Sequence, residues 1–150
     1  MSEHKVTLSW VRNTEDFSYL KYDRTHEWKF EGGIVIKASG AKEFHGNPAL
    51  PNPEDALAAS LSSCHMLTFL AIASRKKMIV DSYKDHAVAI LEKNEKGKLA
   101  ITKTYLRPKV IFSGDNIPDK QDLFQMHHRA HEECFIANSV LTEVIIEPVY

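Results

Sequence analysis

The stretch Asn52–Lys77 runs NPEDALAASLSSCHMLTFLAIASRKK, and its opening residues predict a long helix. Asn52 can cap, Pro53 suits the first helical position, and Glu54 and Asp55 complement the positive end of the helix dipole. From there to about Lys77 the sequence is apolar on nearly every side, so the helix is expected to be buried all round. A chain of 150 residues has little material with which to wrap one helix. A partner subunit is therefore expected to supply part of the cover. Ala56–Ser74 carries no formal charge and is long enough to cross a bilayer. Its middle, Ser60-Leu61-Ser62-Ser63-Cys64-His65, would be costly in lipid without partners. The segment reads as the central helix of a globular core, with no membrane role.

Working outward, the residues before the helix predict strands. Val6, Leu8 and Trp10 alternate with polar neighbours, as does His26-Glu27-Trp28-Lys29-Phe30. Gly32-Gly33 turns the chain into Ile34–Ala38, an expected antiparallel hairpin. Gly40–Asn52, with Gly46, Pro48 and Pro51, reads as a loop. After the helix, two long strands are expected at about Met78–Lys93 and Lys98–Phe112, joined by the turn Asn94-Glu95-Lys96-Gly97. Pro118 then opens a second helix through about Cys134, and a last strand lies near Val144–Glu147. This order argues for an α+β fold, with antiparallel sheets around one long central helix.

Composition narrows the function classes. Hydrophobic residues make up 43% and charged residues 26%, as in ordinary soluble proteins. A net charge of -1 gives no basic field for nucleic acid or anionic lipid. Length and the lack of repeats or linkers predict one domain over residues 1–150. The N-terminal Met1-Ser2-Glu3-His4-Lys5 has no apolar core of the kind a signal peptide carries, which points to the cytoplasm. There, paired cysteines tend to be catalytic or redox-sensing rather than structural. Cys64 and Cys134 are the only two, and they lack zinc-ribbon or C-x-x-C spacing.

Cys64 falls in mid-helix, sharing a face with Leu57, Ser60, Leu61, Leu67, Thr68 and Ala71. A thiol in such surroundings is inert unless a cation stands nearby, because burial favours its neutral form. Arg24 is the best candidate for that cation. His65 is second, and it faces elsewhere, about 100° around the helix. Cys134 closes the run His127-His128-Arg129-Ala130-His131-Glu132-Glu133-Cys134. His127 and His131, at i and i+4, could grip one metal ion from a single helical face. A solvated, charge-rich face is the plainer account of the same residues.

The run Asn52–Cys64 resembles the N-P-E…L-x-A…C signature of the OsmC/organic-hydroperoxide-resistance family. Ala130-His131-Glu132-Glu133-Cys134 is similar to the segment around that family's second cysteine. Tyr22-Asp23-Arg24-Thr25-His26-Glu27-Trp28 is similar to the loop that carries its active-site arginine. Phe135 departs from the pattern, standing where the family usually has proline. The resemblance implies an OsmC-like fold in an intertwined homodimer. It also implies a thiol peroxidase for organic hydroperoxides, with Cys64 peroxidatic, Cys134 resolving, and an Arg24–Glu54 pair steering the thiolate. No bound cofactor is implied; an external dithiol, in one branch a lipoylated protein, would reduce the disulfide. Two other readings are a metal- or ligand-binding protein using both cysteines and nearby histidines, and a cysteine hydrolase with a Cys64–His131 dyad.

Overall fold

A computed structural model describes all 150 residues. The long helix, α1 (Pro53–Arg75), starts as its sequence predicts. The Asp55 N–H donates to Asn52 Oδ1 at 2.8 Å, and the Asn52 N–H donates to Asp55 Oδ2 at 3.2 Å. This reciprocal capping box satisfies two otherwise orphaned donors. The other end closes with Lys77 in the left-handed region, φ 58°. Met78 N–H reaches Ala73 O at 3.0 Å and Lys77 N–H reaches Ser74 O at 2.9 Å, the two bonds of a Schellman cap.

The chain divides into two compact units, Met1–Ala56 and Leu57–Tyr150. The first holds a three-stranded antiparallel sheet in sequence order: β1 (Val6–Ser9), β2 (His26–Phe30) and β3 (Val35–Ala38). Leu8 lies opposite Trp28, and Trp28 opposite Ile36. Gly33 turns the hairpin at φ 86°, a conformation that suits glycine. The long β1–β2 connection is packed on its own aromatics, with Phe17 and Tyr22 ring centroids 5.2 Å apart. Trp10 Nε1 is tied to Asp23 O at 2.8 Å. In the expected loop before α1, Lys42–Phe44 form one 3₁₀ turn. Here Gly46 presses against Gly40 so closely that a Cβ at Gly46 would overlap the Gly40 carbonyl.

In the second unit α1 packs against sheets and a second helix. The two long strands expected after α1 are each broken in two: β4 (Ile79–Lys84) and β5 (Val88–Lys93), then β6 (Leu99–Leu106) and β7 (Lys109–Ser113). β4 pairs with β7, and β5 with β6, in separate sheets. The break is chemical. Pro108 cannot donate to a ladder. In the gap after β4, the Asp85 carboxylate instead accepts Arg107 N–H at 2.6 Å and Ser62 Oγ–H at 2.5 Å. The sheets are antiparallel except at β8 (Glu143–Ile146), which joins β6 in parallel. The second helix, α2 (Lys120–Glu132), begins two residues later than Pro118 suggested. Asp119 is the cap, accepting the Asp122 N–H at 2.8 Å.

The core of this unit gathers Phe69, Ile72 and Ala73 of α1 with Met126 and Ala130 of α2, flanked by Val80, Tyr83, Val110 and Phe112 of β4 and β7. Burial all round α1 is not observed within one chain. Its buried residues, Ala58, Leu61, His65, Phe69, Ile72 and Ala73, form one stripe, while Leu67 is 61% exposed. Helical spacing accounts for the split, since 58, 61, 65, 69 and 72 recur at three and four. The exposed remainder is the part of the helix for which a partner subunit's cover was expected.

Candidate active site

Cys64, on the fourth turn of α1, is half-buried beside the buried stripe. It opens on a cavity of about 300 Å³ walled by Ser60, Leu67, Thr68, Phe135 and Ile136. Cys134 follows α2 and is buried at 1% exposure. Both cysteines are free thiols, and the Cys64 thiol is near enough to perturb Cys134. Burial, and next the Cys64 thiol, push the Cys134 thiol upward in pKa. Opposing this, the Ala137 N–H donates to Cys134 Sγ at 3.4 Å, with a smaller contribution from the Ile136 N–H. The site therefore holds one half-exposed sulfur at a cavity mouth and one sheltered sulfur beside it. A two-electron oxidation of the first leaves the second in place to close a disulfide.

The histidines are arranged differently from either sequence account. His127 is buried, not solvated, and its Nδ1 lies 3.0 Å from His65 Nε2. The rings stack at 6°, and His127 also stacks on Phe69 with centroids 4.3 Å apart. Burial and the facing His127 push His65 down to about 3, and burial pushes His127 down to about 4. His65 is therefore neutral at physiological pH and cannot serve as the cation for Cys64. His128 alone is on the outer face, 3.6 Å from Glu132. His131 Nδ1 is buried without a partner, and no hydrogen bond joins this side chain to Cys64 as a hydrolase dyad would require. No three histidine, cysteine or acidic side chains converge on a point that could hold a metal ion. Sequence reasoning missed the His65–His127 pair. The available signal was position: His65 lies four residues from both Leu61 and Phe69, on the buried stripe.

Arg24 and Glu54 both belong to the first unit. The Arg24 guanidinium donates to Tyr19 O at 2.6 Å and to Tyr22 O at 3.0 Å. It lies 4.0 Å above the Tyr22 ring centroid and 5.1 Å from that of Tyr19. Asp23 braces the loop by accepting the Thr25 N–H and the Asn13 amide, both at 2.8 Å, which holds its carboxyl below the usual range. The arginine faces an apolar cavity of about 800 Å³ lined by Trp10, Phe17, Tyr19, Tyr22 and Phe44. The expected Arg24–Glu54 pair is not formed within one chain: the ion pairs of the chain lie elsewhere. The carbonyls of Tyr19 and Tyr22 already occupy the guanidinium. Glu54 Oε2 is buried and has no hydrogen-bond partner.

Residues 45–148 match the family described as OsmC-like protein. Over 99% of this chain and 100% of the other, the fold superposes on an OsmC-like protein of unknown function from Vibrio cholerae, with 50% sequence identity and a TM-score of 0.95. The chain belongs to the OsmC-like family. Glu54, Cys64 and Cys134 fall inside the matched region, whereas Arg24 precedes it. More distant solved structures share the fold. One is the organic hydroperoxide resistance protein OhrB of Bacillus subtilis, 18% identical, TM-score 0.70, over 99% of this chain and 98% of that one. Another is an organic hydroperoxide resistance protein from Elizabethkingia anophelis, 17% identical, TM-score 0.72, over 99% and 94% of the two chains. No curated protein matches the sequence.

Proposed function

We propose that this OsmC-like protein is a cytoplasmic two-cysteine peroxidase that reduces organic hydroperoxides. The observation that carries the reading is a pair of neighbouring free thiols of unequal exposure, Cys64 at a cavity and Cys134 buried beside it. The Cys64 thiolate attacks the distal peroxide oxygen, the O–O bond breaks, and the alcohol leaves with one proton. Cys64 becomes a sulfenic acid. Cys134 then attacks the Cys64 sulfur, the S–O bond breaks, and the hydroxide departs as water with the Cys134 proton. An external dithiol, such as a lipoylated protein, returns the disulfide to two thiols.

The thiolate needs a permanent cation, and Arg24 cannot lose its proton. Glu54 and Cys64 are ten residues apart on α1, about 15 Å of rise, beyond the reach of a glutamate on one straight helix. We place the Arg24–Glu54 pair against the Cys64 of a second chain in a homodimer built on paired α1 helices. The unpartnered Glu54 oxygen and the uncovered face of α1 around Leu67 support this assembly. Intact-mass measurement before and after cumene hydroperoxide tests the reading: a loss of two hydrogens and a Cys64–Cys134 crosslink are expected. A chain that survives peroxide with both thiols free is not this enzyme.

A further inference from the structure

The turn that follows α2 does more than end a helix. Asn138 Nδ2 donates to two carbonyls at once, Glu132 O at 2.9 Å and Cys134 O at 3.0 Å. Its own N–H also donates to Cys134 O at 3.0 Å. One residue thereby fixes the backbone on both sides of Glu133 and folds Ala137–Ser139 into a 3₁₀ turn. The fold-back is what brings the Ala137 N–H to 3.4 Å from Cys134 Sγ. Helix termination alone does not require this amide. The Glu133 N–H already reaches Arg129 O at 3.0 Å, and the Asn138 side chain itself is exposed.

We infer that Asn138 is a positioning residue for the resolving thiol, holding the turn whose backbone N–H groups stabilise Cys134 as it becomes the attacking thiolate. The inference rests on the two-cysteine reading above. A buried sulfur next to another sulfur resists ionisation. In the closing step Cys134 must carry negative charge while the S–S bond forms and hydroxide leaves Cys64. Hydrogen bonds to a charged acceptor are stronger than those to a neutral one, so the Ala137 N–H counts for most in that step. Asn138 touches neither sulfur and acts through the backbone.

The experiment uses the full chain and its Asn138→Ala and Asn138→Asp variants, the second keeping the shape while removing both amide donors. Ser139→Ala, which loses only the bond from Ser139 Oγ to Phe135 O, is the control. After mixing with cumene hydroperoxide, dimedone trapping counts Cys64 sulfenate and mass spectrometry counts disulfide, across pH. Both Asn138 variants are expected to form sulfenate at the wild-type rate. Disulfide closure should be about tenfold slower, with the midpoint of its pH profile about one unit higher, as for the loss of one charge-assisted hydrogen bond. The Ser139 variant should match wild type. Diamide, which closes the disulfide without peroxide, separates two failures. Neither sulfenate nor disulfide in the wild type after cumene hydroperoxide sinks the peroxidase reading. Wild-type closure rates and pH midpoints in both Asn138 variants, with peroxide and with diamide, overturn the role of Asn138.

Discussion

Mild acid should unfold this protein through two buried rings. In the unfolded chain His65 and His127 titrate near 6.5; in the fold they are held at about 3 and about 4. Between those values the unfolded state binds more protons, so stability is complete above pH 6.5 and falls as pH drops. At pH 5 the loss is about 2 kcal/mol for each ring and about 4 kcal/mol for the pair. Both rings are 1% exposed, so solvent does little to dilute the effect. Their surroundings offer no relief: Phe69 stacks on His127, the Tyr83 hydroxyl is buried without a partner, and His131 adds repulsion to a charged His65. Against a typical 5–15 kcal/mol of total stability, about 4 kcal/mol is a large share. Differential scanning calorimetry at pH 7.5 and pH 5 should show Tm falling by roughly 8–16 °C. His127→Gln, although less stable at pH 7.5, should show about half that pH sensitivity, because one of the two titrating rings is gone. A Tm that moves by only a degree or two, or a slope unchanged in the variant, would refute the argument.

Other outcomes bear on the chemistry. Cys64→Ser should abolish peroxide turnover, while Cys134→Ser should stop after one oxidation with a dimedone-reactive Cys64; steady-state turnover by Cys64→Ser would rule out the mechanism. Arg24→Ala should slow reduction of cumene hydroperoxide by about 10²-fold, the scale of losing one electrostatic stabiliser. Arg24→Lys should recover only part of it, because an ammonium lacks the planar fork that pairs with a carboxylate. Chains carrying Glu54→Ala and Cys64→Ser should be impaired alone yet active when co-expressed, since one heterodimer site keeps both residues. A fully active monomer by light scattering at micromolar concentration would exclude the shared site.

What could be read from the sequence depended on the range of the interaction. The start of α1 was legible because its determinants, Asn52, Pro53 and Asp55, lie within one turn of each other and act locally. The β2–β3 hairpin was legible for the same reason, through Gly33. The break between β6 and β7 carries a local mark in Pro108, although the expected strand ran through it. The break between β4 and β5 was not legible: Asp85 reaches Arg107, twenty-two residues on, and nothing in the alternation of Met78–Lys93 marks the bend. The site divides along the same line. Motif resemblance singled out Cys64 and Cys134, but spacing says nothing about two thiols seventy residues apart becoming neighbours. The histidine run misled because helical phase was weighed within α2 alone. His127 turns inward because α1 presents His65 and Phe69 to meet it, and a buried imidazole is tolerated where another ring nitrogen accepts or donates its hydrogen bond. The Arg24–Glu54 pair fails within one chain for a related reason. A motif records which residue types recur, not which acceptors a loop offers them: the Tyr19 and Tyr22 carbonyls take the guanidinium, and Glu54 Oε2 is left buried without a partner.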